Sequence, residues 1–319
     1  MKALFFRKNL ELDDMPEPTP QNREALIQVK MAGICNTDIE ILNGYMNFQG
    51  VIGHEFVGVV KEANSDDQSL VGKRVVGEIN IGCGKCEYCL KGLQRHCTSR
   101  GVLGIFQKNG AFAEYLTLPI ENLLEVPDSI NDAEAVFVEP LAASLEIFEQ
   151  IHILPGERIA VIGDGKLGLL TAMVCNLMGC QVSLIGKHPE KMNLIAPLGI
   201  DSLTPNEKFS EPFQIVVEAS GNATGLGKAL EMVAPRGTIV LKSTYHGEVT
   251  FDTSKIVIDE INLLGSRCGR FGPALRLLAH KQIDLGKLIT ATYPLADFKK
   301  AFEAAQQRNS LKVLFEINN

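Results

Sequence analysis

The sequence has no long apolar run and no excess of positive charge. Its longest mostly apolar stretch, residues 167–178, is shorter than the ~20 residues that a membrane-spanning helix needs. Residues 1–14 lack the apolar core of a secretion signal, because Arg7 and Lys8 interrupt the first apolar run. Asp and Glu number 38 against 31 Lys and Arg, so the net charge of −7 repels phosphate backbones. We therefore expect a cytoplasmic protein that binds neither membranes nor nucleic acids.

The length of 319 residues, of which 45% are hydrophobic and 22% charged, predicts a globular chain with two domains. Up to about residue 139 the pattern is that of short strands and turns, as in segments 24–34, 51–63, 72–78 and 111–118. After residue 139 strands alternate with helices, which is typical of a parallel doubly wound sheet. We predict strands at 157–163, 181–186, 213–221, 237–242, 261–269 and 311–317, and helices at 166–179, 189–199, 225–235 and 273–280.

Four of the eight cysteines form one closely spaced group. They are Cys83, Cys86, Cys89 and Cys97, in the spacing C-x2-C-x2-C-x7-C. Two-residue spacers turn successive thiolates toward one centre, as a tetrahedral zinc site requires. Iron–sulfur ligation is the main alternative, but no proline follows the last cysteine and no second set of four is present. The pattern favours a structural zinc ion.

A glycine motif follows an apolar strand at the start of an apolar helix. The sequence VIGDGKLG places Gly163, Gly165 and Gly168 in G-x-G-x-x-G. In that motif the glycines allow a tight turn, a close approach of pyrophosphate and close packing of helix on strand, and the helix N-terminus attracts the phosphates. We therefore predict a dinucleotide site that includes these glycines and Leu167.

The end of the next predicted strand bears on which nicotinamide cofactor fits. NAD-binding proteins usually carry Asp or Glu there, about 20 residues after the motif, to bind the ribose hydroxyls. In this chain the strand runs into Gly186, Lys187 and His188. A lysine attracts the 2′-phosphate that an acid would repel, so the sequence favours NADP(H) over NAD(H). The alternative is that Lys187 is an ordinary solvated lysine.

Three further segments carry metal-binding residue types. They contain Cys35 in GICNTD, the pair His54 and Glu55 in VIGHEFVG, and Glu139 in FVEPLA. Together with the four-cysteine loop, GAFAEY, the glycine motif, EASG and the terminal LKVLFE, they occur in the order of a known family. The chain resembles the zinc-dependent medium-chain dehydrogenase/reductase superfamily, which includes alcohol, polyol and threonine dehydrogenases, over essentially its whole length.

This resemblance implies an α/β fold in two domains. A GroES-like, β-rich catalytic domain would contain residues 1–139, completed by 269–319. A Rossmann domain with a doubly wound parallel sheet would contain residues 140–268. Relatives are dimers or tetramers, so a homo-oligomer is also implied.

The resemblance also implies a catalytic zinc ion bound by Cys35, His54 and Glu139. Glu55 takes the place of a carboxylate that lies beside the metal and can replace or support a ligand. Asp38 matches the carboxylate that orients the ligand histidine, and Thr37 matches the hydroxyl that passes on the substrate proton. Two zinc ions per chain are therefore expected, one structural and one catalytic.

Several positions depart from the family pattern or are ambiguous. Glu40 stands where a relay histidine is common, and Ile41 stands where sorbitol dehydrogenases place a substrate-side tyrosine. Ile105 and Phe106 are expected to form an apolar wall. Arg267 matches a polyol-contacting arginine, with a surface cation as its alternative. Lys312 matches a basic residue that approaches the cofactor pyrophosphate, with a solvated strand lysine as its alternative.

The sequence thus predicts a zinc-dependent oxidoreductase that transfers hydride between a secondary alcohol, polyol or sugar hydroxyl and NAD(P), with NADP preferred. One alternative is a zinc-free quinone or enone reductase of the same superfamily. The other is a non-catalytic nucleotide-binding protein whose thiolates sense oxidation. The three cysteines without a predicted metal role, Cys175, Cys180 and Cys268, are assigned to the core.

Overall fold

The computed structural model describes residues 1–207, 209–244 and 249–318. The chain folds into two units. Unit 1 contains Met1–Glu139 and Phe271–Asn319, and unit 2 contains Pro140–Arg270. The chain returns to unit 1 two residues later than the sequence predicts.

The strands are short, in keeping with the frequent turn residues of the sequence. They are β1 (Lys2–Phe6), β2 (Leu10–Asp14), β3 (Glu24–Gly33), β4 (Gly50–Val51), β5 (Glu55–Ala63), β6 (Arg74–Gly77), β7 (Asn80–Ile81), β8 (Gly101–Leu103), β9 (Gln107–Lys108), β10 (Tyr115–Pro119), β11 (Leu123–Glu125), β12 (Arg158–Ile162), β13 (Gln181–Ile185), β14 (Asp201–Leu203), β15 (Phe213–Glu218), β16 (Val233–Leu241), β17 (Asn262–Gly265), β18 (Ile289–Pro294) and β19 (Lys312–Glu316).

The longer helices occur from residue 138 onward. The helices are α1 (Asn36–Leu42), α2 (Glu87–Leu90), α3 (Asp132–Ala135), α4 (Val138–Gln150), α5 (Lys166–Leu177), α6 (Pro189–Met192), α7 (Thr224–Met232), α8 (Ser254–Ile258), α9 (Phe271–Ala279) and α10 (Phe298–Ala305). Short 3-10 turns occupy Tyr45–Asn47, Gln94–His96, Ile120–Asn122, Ala196–Leu198, Gly286–Leu288 and Leu295–Asp297.

Strand β3 organises unit 1. The main sheet has the order β11-β6-β5-β3-β19-β18, and β10 also pairs with β3. The antiparallel register of β3 and β5 sets Gly33 opposite Glu55. The end of β3 therefore lies beside the start of β5, so residues just after Gly33 and just before Glu55 come together although some 20 positions separate them.

Two smaller sheets complete the described strands of unit 1. One has the order β2-β1-β4 and the other the order β7-β8-β9. Strands β7 and β8 pair antiparallel, with Asn80 opposite Val102. Because these two strands flank the four-cysteine segment, their pairing closes that segment into a loop.

Unit 2 contains one six-stranded sheet in the order β14-β13-β12-β15-β16-β17. Every neighbouring pair in it is parallel. Counted from β12, the order is 3-2-1-4-5-6, the order of a doubly wound dinucleotide-binding sheet. The α/β fold class predicted from the sequence is confirmed: the chain has one β-rich unit and one unit with a parallel sheet.

The central parallel strands β12 and β15 are buried on both faces, as continuous apolar runs predict, whereas the edge strands β14 and β17 are largely exposed. Val161 in β12, Val217 in β15 and Val240 in β16 are fully buried. Burying such a side chain stabilises the fold by roughly 1.5–3 kcal/mol. No helix of the described residues is long and apolar enough to cross a membrane.

Three sequence predictions need correction. The helix predicted at 189–199 ends at Met192, and only a 3-10 turn follows at Ala196–Leu198. Pro197 cannot donate a backbone hydrogen bond, and Gly199 adopts φ +78°, so the segment turns. The strand predicted at 261–269 spans only Asn262–Gly265. Cys175 and Cys180 are buried as predicted, but Cys268 is only half-buried because it follows the end of that strand.

Candidate functional site

Cys35 and Asp38 are fixed by the start of helix α1. Cys35 is the residue before the first helical turn, and Asp38 is the third residue of the helix. The Asp38 carboxylate accepts the backbone N–H of Cys35 at 2.7 Å, which satisfies a donor that the helix leaves free. Its other oxygen accepts the N–H of Gly53 at 3.2 Å. Asp38 is fully buried and so connects this helix to the segment before β5.

His54 lies in that segment, directly before β5. Gly53 adopts φ +95°, a left-handed conformation that glycine allows at low cost, and this turns the chain into His54. The Nδ1 atom of His54 lies 3.3 Å from Asp38 Oδ1. Burial disfavours the imidazolium, but the Asp38 and Cys35 charges outweigh it and raise the pKa of His54 well above its ordinary value. His54 is thus held by an acid on one side and a thiol on the other.

Cys35, His54 and Glu55 form a compact group of metal-ligand atoms. One atom from each lies within 4.8 Å of the other two. The Oε1 atom of Glu55 is buried and has no hydrogen-bond partner among the described residues. A buried carboxylate oxygen without a partner is costly unless a cation or water satisfies it. The mixture of sulfur, imidazole nitrogen and carboxylate oxygen matches the donors that zinc takes, so these residues fit a zinc ion.

The other oxygen of Glu55 pairs with Lys312 at the start of β19. Both side chains are fully buried, and the Lys312 ammonium also lies 5.4 Å from the centre of the Phe137 ring. The solvated strand lysine considered from the sequence is therefore ruled out. The pairing of β19 with β3 positions Lys312 beside the donor group. No local sequence pattern indicates this pair, because 257 positions separate its members.

The remaining residues predicted for this site have different environments. Thr37 Oγ1 lies 3.8 Å from Cys35 Sγ. Glu139 is half-buried in the first turn of α4 and does not belong to the group of Cys35, His54 and Glu55. Ile41 is fully buried and offers no surface to a substrate. Phe106, like Ile105, is half-buried.

The four-cysteine loop brings its thiols together, as the spacing predicts. Cys83, Cys86, Cys89 and Cys97 form the second group whose ligand atoms lie within 4.8 Å of one another. Cys86 precedes the single turn of α2, and its Sγ lies 3.5 Å from that of Cys89. The backbone N–H of Cys83 donates to Cys97 Sγ at 3.4 Å. A side chain in place of Gly82 would meet Cys89 Sγ at 2.7 Å, so glycine there is a packing requirement.

The thiols of this loop differ in their pKa values. Backbone N–H groups of Lys85 and Cys86 lower the pKa of Cys83 to about 6. Burial and a hydrogen bond with Cys86 raise the pKa of Cys89 to about 11. Neighbouring thiols thus cannot all ionise together without a cation. A divalent metal removes this conflict, and the four thiolates fit the closed tetrahedral arrangement of a structural zinc ion.

In unit 2 the three glycines of the motif meet three different geometric needs. Gly163 has φ +117°, and a side chain there would meet the Ala219 carbonyl oxygen at 2.5 Å. A side chain at Gly168 would overlap the carbonyl oxygen of Gly163. Gly165, which precedes α5, has open space around it, so a ligand can approach its backbone. These are the three roles of a dinucleotide-binding glycine motif.

The turn after β13 contacts an acid that the sequence pattern did not indicate. Asp164, inside the glycine motif, accepts the backbone N–H groups of Lys187 and His188, each at 2.6 Å. Gly186 has no room for a side chain, because a Cβ atom there would meet Asp164 Oδ2 at 2.6 Å. The acid absent from the strand end is thus supplied by the motif. The sequence signal for this contact is the acid Asp164 between the first two glycines of the motif, combined with Gly186 at the end of β13.

The β-rich unit with two metal-ligand groups and the doubly wound sheet with its glycine motif define the architecture of a nicotinamide-dependent dehydrogenase. The family comparisons agree. The alcohol dehydrogenase GroES-like domain matches residues 21–128, and the glucose dehydrogenase C-terminus matches residues 134–317. The chain belongs to the zinc-type medium-chain dehydrogenase/reductase family.

Relatives match along almost the whole chain. The sorbitol dehydrogenase of Halalkalibacterium halodurans is 30% identical and covers 98% of this chain and 98% of itself. The L-galactonate-5-dehydrogenase of Escherichia coli K12 is 30% identical, over 90% of this chain and 89% of its own. A protein from Sinorhizobium meliloti 1021, assigned as a zinc-binding dehydrogenase and solved with NADP bound, superposes with a TM-score of 0.91. It is 26% identical and covers 99% of this chain and 98% of its own. The chain is therefore an oxidoreductase of the alcohol dehydrogenase type.

Proposed function

We propose that this protein is a zinc-dependent dehydrogenase that oxidises a secondary alcohol, polyol or sugar hydroxyl and prefers NADP⁺ to NAD⁺. The observation that carries the proposal is the group of the half-buried Cys35 with the buried His54 and Glu55, in which one carboxylate oxygen lacks a hydrogen-bond partner among the described residues. The surrounding described residues do not satisfy this oxygen. The donor set suits a metal ion that keeps one position open for substrate.

Cys35 and His54 would hold the catalytic zinc ion together with one carboxylate. The family resemblance assigns that carboxylate to Glu139, whereas the distances within the group favour Glu55. When bound, zinc supplies Lewis acidity that lowers the pKa of a substrate hydroxyl, and the nicotinamide accepts the hydride. The four thiolates of the cysteine loop would hold a second, structural zinc ion.

The protein's own residues orient these donors and move the proton. Asp38 Oδ1 lies 3.3 Å from His54 Nδ1, so Asp38 would orient the ring by its charge and leave Nε2 as the ligand atom. Thr37 Oγ1, at 3.8 Å from Cys35 Sγ, is close enough to the donor group to accept the proton of a substrate hydroxyl. Lys312 neutralises Glu55, so one oxygen of that carboxylate remains directed to the lysine while the other is free to bind a metal.

Unit 2 would bind the cofactor through Gly163, Gly165, Leu167 and Gly168, with the ribose at Gly186, Lys187 and His188. Gly165 has open space for the pyrophosphate, and the exposed Lys187 supports recognition of a 2′-phosphate. The contact of Lys312 with the pyrophosphate, predicted from the sequence, is not carried forward because that lysine is buried against Glu55. Phe106 and Arg267 remain the proposed substrate contacts.

A screen of alcohols, polyols and aldoses with NADP⁺ and NAD⁺, followed at the nicotinamide absorbance, tests the reaction. Metal analysis of the same preparation should give about two zinc ions per chain. Glu55→Gln and Glu139→Gln then identify the third ligand, because only the true ligand variant should lose the catalytic ion. A clear preference for NAD⁺ would contradict the cofactor assignment.

The two alternatives give different results in these experiments. A zinc-free quinone or enone reductase would contain no catalytic zinc and would reduce activated double bonds, which the donor group of Cys35 and His54 does not favour. A nucleotide-binding redox sensor would bind zinc fully and turn over none of the alcohols. The cytoplasmic location and the homo-oligomeric state remain predictions.

A further inference from the structure

The turn after β13 is tied to the glycine motif by one acid. Both carboxylate oxygens of Asp164 lie 3.0 Å from His188 Nδ1. One of them also accepts the backbone N–H groups of Lys187 and His188. A single side chain in the motif thus fixes the backbone and the imidazole of the turn where a dinucleotide-binding sheet meets the adenosine ribose.

Because of these contacts, Asp164 is not available to bind the ribose hydroxyls of a cofactor. Asp164 is only 8% exposed, and its oxygens already receive the two N–H groups and the ring nitrogen. Burial favours the neutral acid, but the hydrogen bonds from His188 and Lys187 outweigh it and lower the pKa of Asp164, so the carboxylate is ionised near neutral pH. Its charge faces the His188 ring and the amides of the turn.

His188 is oriented as a consequence. With Nδ1 beside Asp164, the other ring nitrogen, Nε2, lies on the opposite side of the imidazole, away from that carboxylate. The Asp164 carboxylate accepts a hydrogen bond from Nδ1 in the tautomer that carries its proton there. Lys187, the preceding residue, is exposed. Residues 186–188 therefore present an exposed lysine and an imidazole whose Nδ1 faces Asp164.

We infer that Asp164 is a positioning residue for cofactor choice: it holds the turn so that Lys187 and His188 bind the 2′-phosphate of NADP(H). The inference rests on the proposed NADP preference and adds the residue responsible for it. Gly186 supports it, because any side chain at that position would collide with Asp164 and with Met192 Sδ, at 2.6 and 2.7 Å. An acid at the strand end and Asp164 in the motif are therefore mutually exclusive.

In the opposite role, Asp164 would bind the ribose hydroxyls of NAD(H) and repel the 2′-phosphate of NADP(H). A third role is purely structural. The three roles give different changes in the ratio of the dissociation constants for NADP⁺ and NAD⁺. Calorimetric titration of the zinc-loaded protein with each cofactor, without any alcohol, measures this ratio independently of turnover.

For Asp164→Asn we expect the Kd for NADP⁺ to rise about tenfold, with that for NAD⁺ changed less than about threefold, since a charge-assisted contact is weakened. Lys187→Met should produce a similar selective loss. In a His188→Ala background the Asp164→Asn substitution should change the ratio less than in the wild type, because only the backbone contacts of Asp164 with the turn remain. Asp201→Asn, an exposed acid on the neighbouring β14, is the charge-matched control and should leave the ratio unchanged.

Tighter NADP⁺ binding by Asp164→Asn would overturn the inference in favour of a repelling acid. Equal weakening of NADP⁺ and NAD⁺ binding by Asp164→Asn would show a structural role and would also overturn the inference. The inference would likewise be overturned if the wild-type protein bound neither cofactor. A wild-type preference for NAD⁺ would refute the cofactor part of the proposed function. The inference about Asp164 would then be judged separately, from the direction in which Asp164→Asn changes the ratio of the two dissociation constants.

Discussion

The two metal-ligand groups of unit 1 are built in different ways. The four thiols of the cysteine loop come from 15 consecutive positions, and three of them are only half-buried. Cys35, His54 and Glu55 come from a helix start and a strand start that the β3–β5 pairing brings together. Around them are the buried Asp38 and Lys312, each paired with a member of the group.

This difference separates a local metal site from one that depends on the fold. Backbone N–H groups within the loop already tune the thiols of the first group, so it needs little from the rest of the protein. The second group leaves a buried carboxylate oxygen without a hydrogen bond and needs a buried lysine to balance its charge. We expect substitutions in the first group to affect stability and those in the second to affect turnover.

The largest effect is expected for Cys35→Ala. Removal of a ligand from the buried group should lower kcat by at least about 10³-fold, roughly 4 kcal/mol in the barrier, because zinc would be lost from the reacting position. Metal content should fall from about two ions to about one. Cys180→Ala, which removes a buried thiol from unit 2, serves as the control and should retain kcat. Near-normal turnover of Cys35→Ala would refute the zinc mechanism.

The second prediction concerns the buried pair of Lys312 and Glu55. Lys312→Met should reduce the free energy of unfolding by about 3–5 kcal/mol, because it leaves a buried carboxylate without its partner. Urea denaturation measures the loss, and adding Glu55→Gln should recover part of it. Lys73→Met removes a lysine that pairs with Glu125 on the surface, where both side chains are 51% exposed. That control should cost less than about 1 kcal/mol.

A smaller effect is expected for Asp38→Asn. The variant keeps the shape of the side chain but loses the charge that orients His54, so zinc affinity or kcat should fall about 10–100-fold. Zinc titration against a chelator and steady-state kinetics measure the two quantities. Asp67→Asn, in an exposed turn, is the matched control. An unchanged zinc affinity together with an unchanged kcat would remove Asp38 from the site.

The smallest effect on turnover is expected for Cys89→Ala. Loss of one thiolate should release the structural zinc ion and lower Tm by at least about 5 °C, while kcat per folded molecule stays within about twofold. Differential scanning calorimetry and metal analysis provide the measurements. A large loss of kcat with an unchanged Tm would erase the distinction between the two groups.

Local features of the sequence were sufficient to predict much of the fold and the clustering of the four thiols in the cysteine loop. Short strands and turns predicted the β-rich first part, and the alternation of strands with helices after residue 139 predicted the doubly wound sheet, whose parallel pairing is confirmed. Helix ends were less predictable. Pro197 and Gly199 ended the helix predicted at 189–199, because local backbone chemistry outweighed the apolar periodicity.

By itself the sequence determined the thiol cluster and the glycine-rich turn after β12, since the residues of each lie within one short segment and the spacing encodes the geometry. Only the tertiary structure decided which charges meet. The β3–β5 register brought Glu55 beside Cys35, and β19 brought Lys312 to Glu55. The parallel pairing of β12 and β13 brought Asp164 to His188. Such contacts join residues far apart in the chain, and a strand register has no signature in the separate segments that form it.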